Sequence, residues 1–382
     1  MRVVSCDTET TTFSKGNCFD DRNKLCMVGI ADGSRCETWD IEYTEHPYGQ
    51  AIRDIEADLL SANRVVFFNA KFDLNWLRKY GISYYDMKIW DCQLVHFILT
   101  NQKSRMPSLN EVAEYYGLGS KLDKIAEYWK DGVQTTDIPE EELSEYLAQD
   151  CHLTLQIYYK QLEELETKPH LKALINVSHA DTLVLADMEW NGLKYDFALS
   201  ETKAESLSEQ ILEIDEQLNY LFPIDGLNWN SNDHLSAVLY GGTLKVPYRE
   251  KTERVLKDGS IKYGERDAVK EIQMPRLVEP LEKTECAKSG YWKTGEDILN
   301  SLKAKGTAKK VIELVLKRSV LDKELNTYSL GLPKLYKEKH YTDDIIHGRL
   351  NQCVARTGRL SSSEPNMQNL SEAIRECFIS RF

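Results

Sequence analysis

Val3-Val4-Ser5-Cys6-Asp7-Thr8-Glu9, near the start of the chain, decides how the first half is read. Residues 2–6 (Arg-Val-Val-Ser-Cys) are a β-rich run that predicts a short strand, ending in Asp7 and Glu9. Two carboxylates with one residue between them on an extended segment point to the same side, a geometry that suits a single cation. By itself, an Asp-x-Glu at a strand end is more often a solvated pair, so Asp7 and Glu9 need further carboxylates elsewhere in the chain to signify a cation site.

A second signal is Asn69-Ala70-Lys71-Phe72-Asp73, which follows the apolar strand Val65 to Phe68 and places Asp73 on the first turn of the next helix. Acidic residues favour helix N-termini because of the helix dipole, so this position alone is ambiguous. The third is Tyr146-Leu147-Ala148-Gln149-Asp150, inside a long helical pattern over 139–166. A spacing of four stacks the phenol and the carboxylate on one helix face. Together, Asp7, Glu9, Asp73 and Asp150 with Tyr146 lie in order on a strand, a helix start and a later helix. Hard divalent cations take carboxylate oxygens, and two ions roughly 4 Å apart hold both the attacking and the leaving oxygen of a phosphodiester.

These three segments resemble the exonuclease motifs of the DEDD superfamily, in the variant with a tyrosine before the last aspartate. The resemblance implies a ribonuclease H-like fold and removal of nucleotides from the 3′ end of DNA. It also implies two Mg²⁺ (or Mn²⁺) ions held by Asp7, Glu9, Asp73 and Asp150. Asp7, Glu9 and Asp150 would ligate one ion, Asp7 would bridge to the second, and Asp73 would act through water. Tyr146 would position the attacking group, and Asn69 would hold the scissile nucleotide.

The chain of 382 residues is long enough for two or three domains, and 42% hydrophobic with 29% charged residues is an ordinary globular mixture. No apolar run approaches the roughly 20 residues that span a bilayer, and there is no leader-like h-region, which predicts a cytoplasmic protein. Nine cysteines stand singly without zinc or redox spacing and are read as reduced. A net charge of −13 argues against nucleic acid until its distribution is read. Ser301 to His340 carries ten Lys/Arg against four Asp/Glu.

Short strands are predicted at 2–6, 24–31, 35–41 and 64–69, and helices at 50–62, 71–80, 89–100, 108–116 and 139–166. This makes 1–165 an α/β (α+β) domain. Residues 171–222 and 296–328 read as helical. Between Gly241 and Gly295 lies an irregular insertion, with a hairpin turn at Lys257-Asp258-Gly259-Ser260.

Ala186 to Asp196 resembles the segment leading into the thumb of family A (DNA polymerase I-like) DNA polymerases. Ala355-Arg356-Thr357-Gly358-Arg359-Leu360-Ser361-Ser362-Ser363-Glu364-Pro365-Asn366-Met367-Gln368-Asn369-Leu370 is similar to the motif at the start of their palm. The resemblance divides the chain into an exonuclease domain (1–165), a mainly α thumb (166–345) and the beginning of the palm (346–382). Lys309, Lys310, Lys317 and Arg318 would grip the primer-template backbone. Arg359, Asn366, Gln368 and Asn369 would reach the minor groove or phosphates.

The family's first polymerising aspartate would come after Phe382. The expectation is therefore a phage-type split polymerase working in a bacterial host cell, with a second polypeptide supplying palm and fingers. An unpaired palm strand, with Phe378, Ile379 and Phe382 exposed, would await that partner. Residues 241–295 would dock a processivity factor. The competing readings are a truncated piece of a longer polymerase, a DNA-gripping scaffold with a vestigial nuclease, a stand-alone 3′–5′ nuclease, and an RNA-trimming nuclease, which leaves 355–370 without purpose.

Overall fold

In the computed structural model, described over residues 1–43, 49–119, 124–255 and 260–381, the chain forms two compact units. One comprises Met1–Phe197 with Leu332–Phe382, the other Ala198–Gly331. Segments 166–197 and 332–345, expected in the thumb, thus fold with the first unit.

The first unit is built on a five-stranded sheet: β1 (Val3–Thr10), β2 (Leu25–Ala31), β3 (Cys36–Asp40), β4 (Arg64–Phe67) and β5 (Ile89–Asp91). Its order is β3-β2-β1-β4-β5; β1, β2 and β3 pair antiparallel, whereas β4 runs parallel to β1 and β5 parallel to β4. This is the ribonuclease H-like order. Strand β1 continues past the expected end because Asp7 to Thr10 pair with Gly29 to Leu25 of β2, whose residues are all buried.

Helices α1 (Gly49–Ser61), α2 (Ala70–Lys79), α3 (Cys92–Leu99), α4 (Leu109–Tyr115), α5 (Lys124–Lys130), α6 (Glu140–Thr167) and α7 (Lys172–Asn191) surround the sheet. Val4, Cys6, Val28 and Ile30 pack with Ile55, Leu74 and Leu77 of α1 and α2. Met27 and Ala31 pack with Leu143, Leu147 and Cys151 of α6. With both faces covered, alternation disappears and β2 reads as one apolar run. Gly29 lets α6 approach: a Cβ there would lie 2.8 Å from Leu147 Cγ and 2.9 Å from Cys151 Sγ. The helix expected over 89–100 is instead β5 followed by α3, because Ile89 to Asp91 pair with Val65 to Phe67.

Short strand β6 (Leu193–Tyr195) leads into the second unit, which contains α8 (Phe197–Leu221) and α9 (Asn232–Tyr240). A hairpin of β7 (Gly242–Val255) and β8 (Ile261–Met274) follows, then α10 (Glu296–Ser301) and α11 (Gly306–Lys323). Its core joins Ile214 and Leu218 of α8 to Val238 and Leu239 of α9 and Val311 and Val315 of α11. The hairpin is far longer than the expected turn, whose residues Lys257 to Gly259 lie outside the described residues. Leu244 and Val246 anchor its base; farther out, cross-strand ion pairs such as Arg266–Glu250 (2.6 Å) line an exposed ribbon. The helical run expected over 296–328 breaks after α10.

The chain returns through α12 (Gly331–Glu338), β9 (Ile345–Ile346), β10 (Arg349–Asn351), β11 (Ser361–Ser363), α13 (Glu372–Arg375) and β12 (Phe378–Ile379). Strand β12, expected from sequence to be unpaired, is paired: Phe378, half-buried, and Ile379, exposed, pair with Tyr195 and Lys194 in a sheet of order β12-β6-β9. Phe382 lies outside the described residues. Among those described, no helix is long and apolar enough to cross a membrane, and all nine cysteines are free.

Candidate active site

The pleat of β1 sorts its side chains between two helices. Ser5, Asp7 and Glu9 share the face toward α6, where the Ser5 hydroxyl donates to the Cys151 carbonyl at 2.7 Å. That bond and the close approach over Gly29, the partner of Asp7, set Asp150 beside the strand. Carboxylate oxygens of Asp7, Glu9 and Asp150 all lie within 4.8 Å of one another. Glu9 and Asp150 are buried and Asp7 is half-buried.

Asp73 stands apart from this cluster. Thr8 points to the opposite face and donates its hydroxyl to Asp73 Oδ1 at 2.7 Å, holding the carboxyl against the start of α2. Burial first, then the charge of Asp7, pushes the Asp73 carboxyl well above its usual range, with the Thr8 hydrogen bond opposing. The structure therefore brings three of the four sequence-predicted carboxylates within reach of one ion and sets the fourth beside them.

Asn69 is left-handed (φ 64°) at the N-terminus of α2, a conformation asparagine tolerates better than most residues. A residue that sequence reasoning missed holds it there. Buried Asp91 accepts the amides of Asn69 (3.1 Å) and Ala70 (2.9 Å) on α2, and those of Gln93 (2.9 Å) and Leu94 (3.2 Å) on α3. One carboxylate thus caps two helices. Its signal is an aspartate directly before the apolar run 92–99, the usual mark of an N-cap.

Lys71 ties α2 to the rest of the unit. Its ammonium meets the Glu189 carboxylate of α7 and donates to the Leu350 carbonyl of β10, and the Leu350 amide donates to Glu189 at 2.6 Å.

Tyr146 lies one turn before Asp150 on α6, half-buried. Its ring meets that of Trp129 at 90°, with centroids 5.9 Å apart.

Of the residues expected to grip DNA, Lys309, Lys310 and Lys317 are exposed on α11, and Lys309 lies 3.8 Å from Glu313. Lys310 and Lys317, two turns apart, share the face opposite the buried Ala308, Val311 and Val315. Arg318 departs from expectation. Its side chain is 12% exposed, and its guanidinium is taken up by Asp215 (2.6 and 3.2 Å) and Asn230, with Asp322 at 3.8 Å. It joins α11 to α8 and is not a free phosphate ligand. In the first unit, Arg359, Asn366, Gln368 and Asn369 are exposed. Asn366 also accepts the Gln368 amide at 3.1 Å, so its carbonyl oxygen caps a turn.

Residues 1–166 match the family described as 3′-5′ exonuclease, and residues 252–382 match DNA polymerase family A. The chain is 26% identical to the DNA polymerase I of Synechocystis sp. over 98% of its own length and 35% of that protein's. It is 30% identical to the thermostable DNA polymerase I of Thermus thermophilus over 62% of this chain and 24% of that one. It is 25% identical to the DNA polymerase of Bacillus phage SP01 over 80% and 34%. The chain thus spans about a third or less of the length of these relatives. In fold it is similar to the POL domain of Pol1 from M. smegmatis, solved in complex with DNA primer-template and dNTP. The TM-score is 0.70 at 19% identity, covering 98% of this chain and 54% of that one.

Proposed function

From a chain in which a 3′–5′ exonuclease domain precedes the start of a family A DNA polymerase domain, we infer that the protein trims DNA from the 3′ end and proofreads for polymerisation. The observation that carries this reading is the convergence of Asp7, Glu9 and Asp150 within 4.8 Å. Three hard carboxylate oxygens at that spacing fit a divalent cation such as Mg²⁺ or Mn²⁺. Asp7, Glu9 and Asp150 would hold it, with Asp7 shared toward a second ion on the Asp73 side. When bound, such ions supply charge stabilisation of the phosphodiester oxygens and a nucleophile at neutral pH.

The chain's own residues do the rest. Asn69, fixed by Asp91, holds the scissile nucleotide, and Tyr146 orients the attacking water. Buried Asp73, beside the cluster, would act through a water. Lys309, Lys310 and Lys317 contact the backbone of primer-template duplex, and Arg359, Asn366, Gln368 and Asn369 contact the duplex at the start of the palm.

We place nucleotide addition on palm and fingers residues outside 1–382, whether on the same polypeptide or another. Edge strand β12, where Ile379 is 43% exposed, is where further palm backbone would pair. The exposed ribbon of β7 and β8 is the surface for a processivity factor.

The test is to incubate the chain with a 3′-labelled single-stranded oligonucleotide while titrating Mg²⁺. The expected result is release of labelled mononucleotide that chelation with EDTA stops. Release of label only in longer fragments would point to a different nuclease. Primer extension by residues 1–382 alone would remove the placement of nucleotide addition outside them.

A further inference from the structure

We infer that Trp129 is a positioning residue for Tyr146, part of a latch that references the tyrosine to the strand bearing Asp7 and Glu9; the inference rests on the proposed exonuclease function. Tyr146 is only half-buried on α6, so its helix alone does not fix its ring. The Trp129 ring meets it at 90° with centroids 5.9 Å apart, the edge-to-face arrangement aromatic quadrupoles favour.

Trp129 is itself held from the strand. Its Nε1–H donates to Thr135 Oγ1 at 3.1 Å, and the Thr135 hydroxyl, fully buried, donates to the carbonyl of Thr10 at 2.7 Å. Thr10 directly follows Glu9. Tyr43 closes the latch by donating its phenol to the carbonyls of Thr135 (2.6 Å) and Ile138 (3.1 Å). Carboxylates and tyrosine therefore share one frame: a shift of β1 moves Thr135, then Trp129, then Tyr146. A displacement of about 1 Å in a catalytic group costs on the order of 100-fold in rate, so such a frame has kinetic value.

The experiment compares the full chain with Trp129→Ala, Trp129→Phe, Tyr146→Phe and the double variant Tyr146→Phe/Trp129→Ala on single-stranded DNA. Mg²⁺ affinity is read by calorimetry, and the Tyr146 environment by ¹⁹F NMR of 3-fluorotyrosine-labelled protein, assigned by loss of one resonance in Tyr146→Phe. We expect Trp129→Ala to lower kcat about 10- to 100-fold with KM and Mg²⁺ affinity unchanged, and to shift the Tyr146 resonance. Trp129→Phe should restore most of the rate, and the double variant should be no slower than Tyr146→Phe alone.

Multiplicative rate losses in the double variant, or a loss confined to KM, would overturn the positioning role. An unmoved Tyr146 resonance in Trp129→Ala would overturn the latch. A wild-type chain inactive on DNA whose resonance still shifts would locate the failure in the exonuclease reading and remove the kinetic role with it.

Discussion

The Thr8 hydroxyl donates a 2.7 Å hydrogen bond to Asp73 Oδ1, joining the carboxylate-bearing strand to the first turn of α2. Both residues are buried, Thr8 at 5% and Asp73 at 1% exposure. Thr8 lies between Asp7 and Glu9 but faces the other way, so one strand serves the ion-binding cluster with one face and Asp73 with the other. Thr8→Val keeps the shape and removes the donor. It should destabilise the chain by about 1–3 kcal/mol, as expected for an unsatisfied buried acceptor, and slow 3′-end trimming. Urea unfolding and single-turnover digestion check the two effects.

The Lys71, Glu189 and Leu350 junction should behave as a buried ion pair. The side chains of Lys71 and Glu189 are 14% and 7% exposed. Lys71→Met leaves the Glu189 carboxylate buried without its cation, and unfolding should be easier by about 3–5 kcal/mol. An unchanged urea midpoint would mean that the pair is not formed in solution.

Arg318 and its neighbours on α11 should separate structure from DNA contact. Arg318→Ala breaks the bonds to Asp215 and should lower stability by about 1–3 kcal/mol. Lys310→Ala/Lys317→Ala should change stability by less than about 0.5 kcal/mol. The same pair should weaken primer-template binding and lower the slope of log affinity against log salt by about 1 per lysine. Fluorescence anisotropy across a salt series reads the second effect.

Buried His179 and half-buried His347 give the chain a pH dependence, and burial lowers the pKa of buried His96 in the same direction. The Asp91 amide donates to His179 Nε2 at 3.0 Å, which requires that nitrogen's lone pair, and His179 packs on Trp90. Burial, then the charge of Arg64, lowers its pKa from 6.5 to about 3. His347, stacked on Phe19, is lowered to about 4, chiefly by burial. Below pH 6.5 the unfolded chain takes up protons that the folded chain refuses. Stability from these groups is therefore complete above pH 6.5 and falls with pH, by about 1.4 kcal/mol per unit per histidine, levelling near their folded values. His179→Gln retains an acceptor for the Asp91 amide and does not titrate. Between pH 7 and pH 4.5 it should lose less thermal stability than the wild type.

The parts of this fold that sequence reads well depend on short-range pattern. The spacing of Asp7 and Glu9 on an extended run, and of Tyr146 and Asp150 on a long helix, already places each pair on one face. Composition cannot show that β2, β1 and α6 stack so closely over Gly29 that the pairs meet. Asp91 escaped because a three-residue parallel strand has no period of its own, and Ile89 and Trp90 merge with the apolar face of α3. Arg318 misled because local charge counting ignores Asp215, over a hundred residues away in sequence but adjacent on α8. The length of the β7–β8 ribbon was hidden for a related reason. Its pairing rests on charged cross-strand partners such as Lys245 and Glu271, at 2.8 Å, rather than on an apolar face.

The most direct measurement tracks a 5′-labelled single-stranded oligonucleotide in Mg²⁺ on the wild-type chain and on Asp7→Ala/Glu9→Ala, with thermal unfolding confirming that both are folded. A ladder that shortens stepwise from the 3′ end is expected with the wild type, and an intact oligonucleotide with the double variant. Degradation by the double variant as fast as by the wild type would contradict the assignment of Asp7, Glu9 and Asp150 as the catalytic cation site.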